Sequence, residues 1–169
     1  RYPETRFTFI DIHPEAIDSV RTLTHHFGFT NCEVIVGDAT QHEAKRADVV
    51  IVETMQAALS KEPQVAIFEH LSRSGATMIP RNVIVDVVLV DGAAETARAM
   101  GEPLPPDARI PLGTVVDLRS NVFELSVVVP ELPPGRYSVS YFTRIEVFGE
   151  HRIDEYQSGL TYPKVIWDL

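Results

Sequence analysis

The sequence predicts an α/β chain: a doubly wound parallel sheet over residues 1–80, followed by an antiparallel β-rich, barrel-like domain over residues 81–169. Three observations carry this. Up to Pro80, strand-like runs alternate with segments of helical periodicity, the pattern of a parallel sheet with crossover helices. The run Val49, Val50, Ile51 and Val52 is apolar on both faces, as a strand covered by helices must be. Beyond Pro80, β-branched runs follow one another between proline- and glycine-rich turns.

Each element has its own justification. Residues 6–12 alternate aromatic and small side chains, then turn apolar, and read as a strand with Asp11 at its carboxyl end. Pro14 suits the first helical position, and Glu15 complements the positive end of the dipole. Ile17, Val20, Leu23 and Phe27 then recur at helical spacing as an inward stripe, and Gly28 ends the helix. Residues 32–36 form a second strand, closed by a turn at Gly37, Asp38 and Ala39; residues 41–46 are a polar loop. The third strand, 48–52, runs into Glu53. A helix over 62–72 starts at Pro63 and turns Val65, Phe68 and Leu71 inward. Gly75 breaks it, and strand 76–79 ends at Pro80, since proline cannot donate to a central ladder. A long strand over 82–91 contains Asp86, and 92–99 forms a short helix. Residues 101–113 hold Pro103, Pro105, Pro106 and Pro111 and are expected to be irregular. Strands over 114–118, 122–129 and 136–148 follow, and a strand-like segment over 160–167 closes the chain.

A formal net charge of −9 argues against a nucleic-acid backbone or an anionic membrane as main partner and leaves cationic substrates open. The single cysteine, Cys32, excludes a disulfide framework within the chain. No signal-peptide pattern and no run long enough to cross a bilayer are read, so a cytoplasmic location is expected. The six histidines lack ligand spacing, and no metal site is expected. The chain opens on Arg1 and is in a strand by Phe7, so a preceding N-terminal portion of the natural protein is expected.

Asp11, Asp38 and Glu53 end three successive predicted strands and mark one rim of the expected sheet, where open α/β sheets bind ligands. A short anionic side chain fixed by a strand, such as Asp11, accepts hydrogen bonds from a ribose diol. Asp38 is placed to receive an exocyclic amine. The alternative roles are a helix cap before Pro14 for Asp11 and an Asx-type turn for Asp38. Glu53 ends an apolar strand, a costly position unless the charge is paired or used. Glu62, directly before Pro63, is also a good helix-start residue.

Phe9-Ile10-Asp11-Ile12, Val36-Gly37-Asp38-Ala39 and the run from Asp48 to Glu53 resemble the successive cofactor-side motifs of class I S-adenosylmethionine-dependent methyltransferases. That resemblance implies a Rossmann-like sheet with its N-terminal part missing and S-adenosylmethionine as cofactor. Asp11 would bind the ribose hydroxyls, Asp38 and Ala39 the adenine edge, and Ile12 and His13 would lie against the ring. The stretch from Glu53 to Pro63 is similar to the double-glutamate loop of the protein arginine methyltransferases. There, two glutamates at the separation of Glu53 and Glu62 clamp a guanidinium, and Met55 stands in the place of the loop methionine. Met78-Ile79-Pro80-Arg81 resembles that family's passage into its β-barrel, and 159–164 loosely resembles its threonine-histidine-tryptophan loop. The chain departs from the family in lacking the glycine-rich first motif. Thr54, Gln56, Ala57 and Ala58 replace the aromatic residues of the loop, and Tyr162-Pro163 replaces histidine and tryptophan.

The resemblance implies methyl transfer to a nitrogen or oxygen nucleophile, a protein arginine among the candidates, with Glu53 and Glu62 as the catalytic pair. Two alternatives stand beside it. A nicotinamide (NAD)-dependent dehydrogenase also places an acid after its second strand to bind a ribose diol. A catalytically degenerate methyltransferase-like module would form a homodimer or bind partners through its β domain.

Overall fold

The computed structural model describes residues 4–44, 46–61, 63–132 and 134–168, with residues 167 and 168 described by backbone alone. The chain forms two compact units, Arg1–Arg46 and Ala47–Leu169. This division falls well before the change of character at Pro80 on which the expected domains 1–80 and 81–169 rest.

The first unit is β1 (Phe7–Asp11), α1 (Pro14–His26) and β2 (Cys32–Val36). β1 and β2 pair in parallel, from Phe7 opposite Cys32 to Asp11 opposite Val36. α1 starts as expected, with extended His13 before it, Pro14 in its first turn and Glu15 at the positive end of its dipole. Its buried stripe is narrower than the sequence suggests. Ile17 is 1% exposed, but Leu23 and Phe27 are 55% and 57% exposed. Two five-residue strands offer a thirteen-residue helix too small a floor to cover its full stripe. The chain leaves the helix through Gly28 at φ +66, a conformation glycine adopts without a Cβ clash.

The second unit opens with β3 (Val49–Ile51), a tight turn (Ala57–Leu59), α2 (Gln64–Ser72) and β4 (Thr77–Ile79). β3 and β4 pair in parallel, and Val52 N–H extends the ladder by donating to Ile79 O at 2.8 Å. α2 buries Ile67, Phe68 and Leu71, at about 1.5–3 kcal/mol each. The polar Gln64 is buried with them, whereas Val65 is only half-buried. Among the described residues, the expected doubly wound sheet is therefore two separate parallel pairs, β1–β2 and β3–β4.

The rest is an antiparallel sheet of β5 (Asn82–Asp91), β6 (Arg109–Asp117), β7 (Tyr137–Phe148), β8 (His151–Ile153) and β9 (Lys164–Asp168), with α3 (Gly92–Ala99) between β5 and β6. The order is β6-β5-β7-β8, and β9 pairs with the other end of β7. The sheet stays open; no barrel closes among the described residues. β5 is its buried centre. Val87 and Leu89 join Val139 in one apolar cluster, while Val88 and Val90 join Phe142 in another. Asp91 then caps α3, accepting from Ala93 N–H at 2.8 Å and Ala94 N–H at 3.1 Å.

Two expectations fail here. β6 begins at Arg109 and passes through Pro111, inside the stretch expected to be irregular. It is an edge strand with register shifts, and an edge tolerates proline. Residues 122–129 form no strand beyond a bridge from Val122 to Asp117. Instead Leu125 of this run, with Leu132 beyond it, packs on the Val87–Leu89–Val139 cluster, while Phe123, Val127, Val128 and Val129 stay exposed. No helix among the described residues is long and apolar enough to cross a membrane.

Candidate functional site

In the first unit, Asp11 and Asp38 lie at the carboxyl ends of adjacent strands. The Gly37 N–H donates to Asp11 O at 2.9 Å, so the turn carrying Asp38 is tied to the end of β1. Asp11 Oδ1 accepts from the His13 N–H at 2.8 Å, which holds the carboxylate over the entry to α1. Asp38 Oδ1 accepts from the Thr40 N–H at 2.8 Å and the Thr40 hydroxyl at 2.7 Å. Asp38 thus fills its Asx-type turn, whereas Asp11 does not cap α1: the residue before the helix is His13, with no side-chain cap bond, and Asp11 turns back only onto the His13 amide. That bond does not use up Asp11, whose Oδ2 has no hydrogen-bond partner among the described residues. Ile12 is 64% exposed beside it, an apolar side chain left at the surface. His13 is exposed, with Nδ1 3.6 Å from Glu15, and Ala39 is half-buried.

Glu53 belongs to the second unit. It follows β3, which pairs with β4 and, among the described residues, has no pairing with β2, so there the three acids do not end one continuous sheet. Glu53 is also exposed, which removes the desolvation cost expected for it at the end of an apolar strand. Among the described residues its carboxylate has no hydrogen-bond or ion-pair partner. Glu62, the other half of the expected clamp, lies outside the described residues.

The loop that follows Glu53 is firmly anchored. Gln64 Oε1 accepts from both the Thr54 N–H at 3.1 Å and the Thr54 hydroxyl at 2.8 Å. A backbone N–H can only donate, so these bonds fix which end of the amide is oxygen. Gln64 Nε2 is then buried without a hydrogen-bond partner among the described residues. Farther along, the Ala58 N–H donates to the Thr143 hydroxyl of β7 at 3.2 Å, with Met55 and Ala58 both buried. Ala58 and Leu59 are successive left-handed residues at φ 58 and 52, a strained conformation without glycine that its anchors must hold.

A third cluster escapes sequence reasoning. Arg109, at the start of β6, donates to Glu95 of α3 from Nε at 2.9 Å and Nη2 at 2.7 Å, and to Glu155 from Nη1 at 2.7 Å. Its guanidinium lies 4.3 Å from the Phe142 ring centroid, and the Tyr156 hydroxyl donates to Glu95. Burial acts to lower the Arg109 pKa, but its bonds to Glu95 and Glu155 outweigh this and hold it above the ordinary value. Burial and the Glu95 carboxylate together push the Tyr156 phenol up. Two glutamates around one guanidinium is the arrangement that the resemblance implies for Glu53 and Glu62 with a substrate arginine. Here it is internal. The cluster borders a cleft of about 540 Å³ that also takes in Asp86, Val88, Arg144 and Asp154. At its other end Asp86 accepts from Arg144 at 2.9 Å and Thr114 at 2.6 Å. Arg109 stands 14 residues from Glu95 and 46 from Glu155, so no local spacing announces the group.

The late loop that loosely resembles the family's threonine-histidine-tryptophan loop is structural in part. Thr161 is fully buried and bonds with Ser158, while Tyr162 is 50% exposed and packs edge-on to Tyr156. Among the described residues no three His, Cys, Asp or Glu side chains converge as a metal site.

No family model matches the chain. It is similar to an uncharacterized protein, MJ1452, of Methanocaldococcus jannaschii, at 34% identity over 88 residues. The match covers 48% of this chain and 34% of that relative, so the chain spans about a third of the relative's length.

Proposed function

We propose that the chain carries the later cofactor-side elements of an S-adenosylmethionine-dependent methyltransferase. One observation supports this above the others. Asp11 and Asp38 end neighbouring parallel strands, joined through the bond from Gly37 to Asp11, and Asp11 keeps an open carboxylate oxygen. Adjacent strand ends of this kind are where open α/β sheets bind nucleotide-like ligands. The residues present fit the ribose and adenine of such a cofactor. Asp11 Oδ2 accepts from a ribose hydroxyl while Oδ1 stays on the His13 amide. Ile12 offers an apolar contact for the adenine ring, with His13 beside it, and Asp38 and Ala39 border its edge.

When bound, S-adenosylmethionine supplies an electrophilic methyl group. The chain contributes alignment and exclusion of water, which are the main sources of rate in an in-line displacement. Glu53, an exposed anion on an anchored loop, is the residue proposed to hold a nitrogen or oxygen nucleophile, with Glu62 as its partner in the clamp. A cationic acceptor, a protein arginine among them, suits two carboxylates.

Calorimetry with S-adenosylhomocysteine tests the reading. Binding is expected, with Asp11→Asn weakening it by about tenfold or more, because a bond to a charged acceptor is lost. The asparagine keeps an oxygen for the His13 amide, so the turn survives. No heat of binding by the wild-type protein, or equal affinity in the variant, would sink the proposal.

A further inference from the structure

Three strand ends of the second unit converge on a hollow of about 460 Å³ that shares no residue with the proposed methyl-transfer site. Arg81, just before β5, donates its N–H to Glu146 O at 2.7 Å and Val147 O at 3.0 Å, which sets it beside the end of β7. Arg119, just past β6, donates its N–H to Asn82 Oδ1 at 3.0 Å, and Leu118 N–H reaches Val83 O at 3.3 Å. These bonds place Arg119 next to Asn82, one residue from Arg81. Phe148, the last residue of β7, is 55% exposed at the same end of the sheet. The hollow is lined by both arginines and Phe148, with Phe68 and Met78 buried beneath and Thr77 alongside.

The charge is out of character for the chain. In a protein of net charge −9, two arginines line one hollow, and among the described residues no Asp or Glu lines it. Arg81 is partly neutralised by Glu146, with Nη2 2.9 Å from Oε2. The Arg119 side chain has no hydrogen-bond or ion-pair partner among the described residues. A planar guanidinium binds phosphate or carboxylate oxygens through two parallel bonds. Phe148, Phe68 and Met78 offer the apolar surface on which a planar ring rests.

We infer that this hollow binds a small anion borne on a planar ring, its phosphate or carboxylate group held by Arg119 and Arg81 and its ring against Phe148. The probe is phenyl phosphate, which cannot be taken for the adenosine part of a methyl donor. Amide resonances are followed by NMR on the full chain during titration, with inorganic phosphate and benzoate as separate arms.

Saturable shifts at Arg81, Arg119 and Phe148 are expected with phenyl phosphate. Arg119→Gln should weaken binding by about tenfold or more. Phe148→Ala should weaken phenyl phosphate while leaving inorganic phosphate unchanged, a split that general loss of structure would not produce. Benzoate binding as well as phenyl phosphate assigns the hollow to both anions; benzoate failing to bind assigns it to phosphates. Unsaturable shifts, shifts elsewhere in the chain, or equal affinity in the Arg119 variant would overturn the inference. Arg119→Lys keeps the charge without the fork, and full retention of affinity there would also overturn the bidentate role.

Discussion

Glu95 holds Arg109 with both carboxylate oxygens, Oε2 2.9 Å from Nε and Oε1 2.7 Å from Nη2. The pair is 13% and 19% exposed, so water screens it only in part. It ties α3 to the edge strand β6, and Glu155 extends the tie to the loop after β8. Removing one member leaves the other charge poorly compensated, which costs more than the pair contributes when intact. Glu95→Gln should therefore destabilise the protein by about 2–4 kcal/mol in urea unfolding. A loss below what an exposed surface pair gives would show that the cluster is not a fastening.

Tyr156 gives the same cluster a pH dependence. Its phenol donates to Glu95, and burial first, then that carboxylate, raises its pKa above the ordinary value of about 10. A raised folded pKa means that the contribution to stability is complete below about pH 10 and is lost as pH climbs from the unfolded value through the folded one. Tyr156→Phe should be less stable than wild type at neutral pH by about 1–2 kcal/mol. The gap should narrow above pH 10, so unfolding curves from pH 7 to 11 that stay parallel would contradict the assignment.

Gln64 is expected to control the loop after Glu53. Replacing it with leucine keeps the bulk but leaves the Thr54 N–H and hydroxyl without their acceptor. The unpartnered Nε2 is removed at the same time, which offsets part of the loss. The net cost should be about 1–2 kcal/mol. The sharper readout is local: the Thr54 amide should exchange with deuterium faster in Gln64→Leu than in wild type. Unchanged protection would mean that the loop is held elsewhere.

How much of this is legible in the sequence depends on the range of the forces involved. β5 is readable because ten residues of a buried strand carry little polarity. The turn at Asp38 is readable because the acid bonds two residues on; Asp11 makes the same local bond to His13, where a helix cap is expected. The run 122–129 misleads because β-propensity records a fit to a pleated surface and cannot tell whether a neighbouring strand is available. Pro111 misleads in the opposite direction, since its exclusion from sheets lapses on an edge. The Glu95–Arg109–Glu155 group is invisible for a further reason. It depends on α3, β6 and the loop after β8 meeting in space, and each contributes one charged residue that alone reads as surface.

Gly113 tests the covering role of 122–132. It sits in β6 at φ +143, and a Cβ built there would lie 2.8 Å from Leu125 Cδ1 and 3.3 Å from Cδ2. Leu125 in turn packs on the cluster of Val87, Leu89 and Val139. Gly113→Ala thus strains the backbone and pushes Leu125 off the sheet, at about 1–3 kcal/mol. Leu125→Ala alone loses apolar burial but makes room. If the two residues touch as described, the double variant should be more stable than the sum of the single losses allows, by about 0.5 kcal/mol or more. The backbone strain at residue 113 remains in both backgrounds and cancels from that difference, so the coupling reports the side-chain clash alone. Strict additivity in urea unfolding would place Leu125 away from Gly113 and leave the sheet face uncovered at that point.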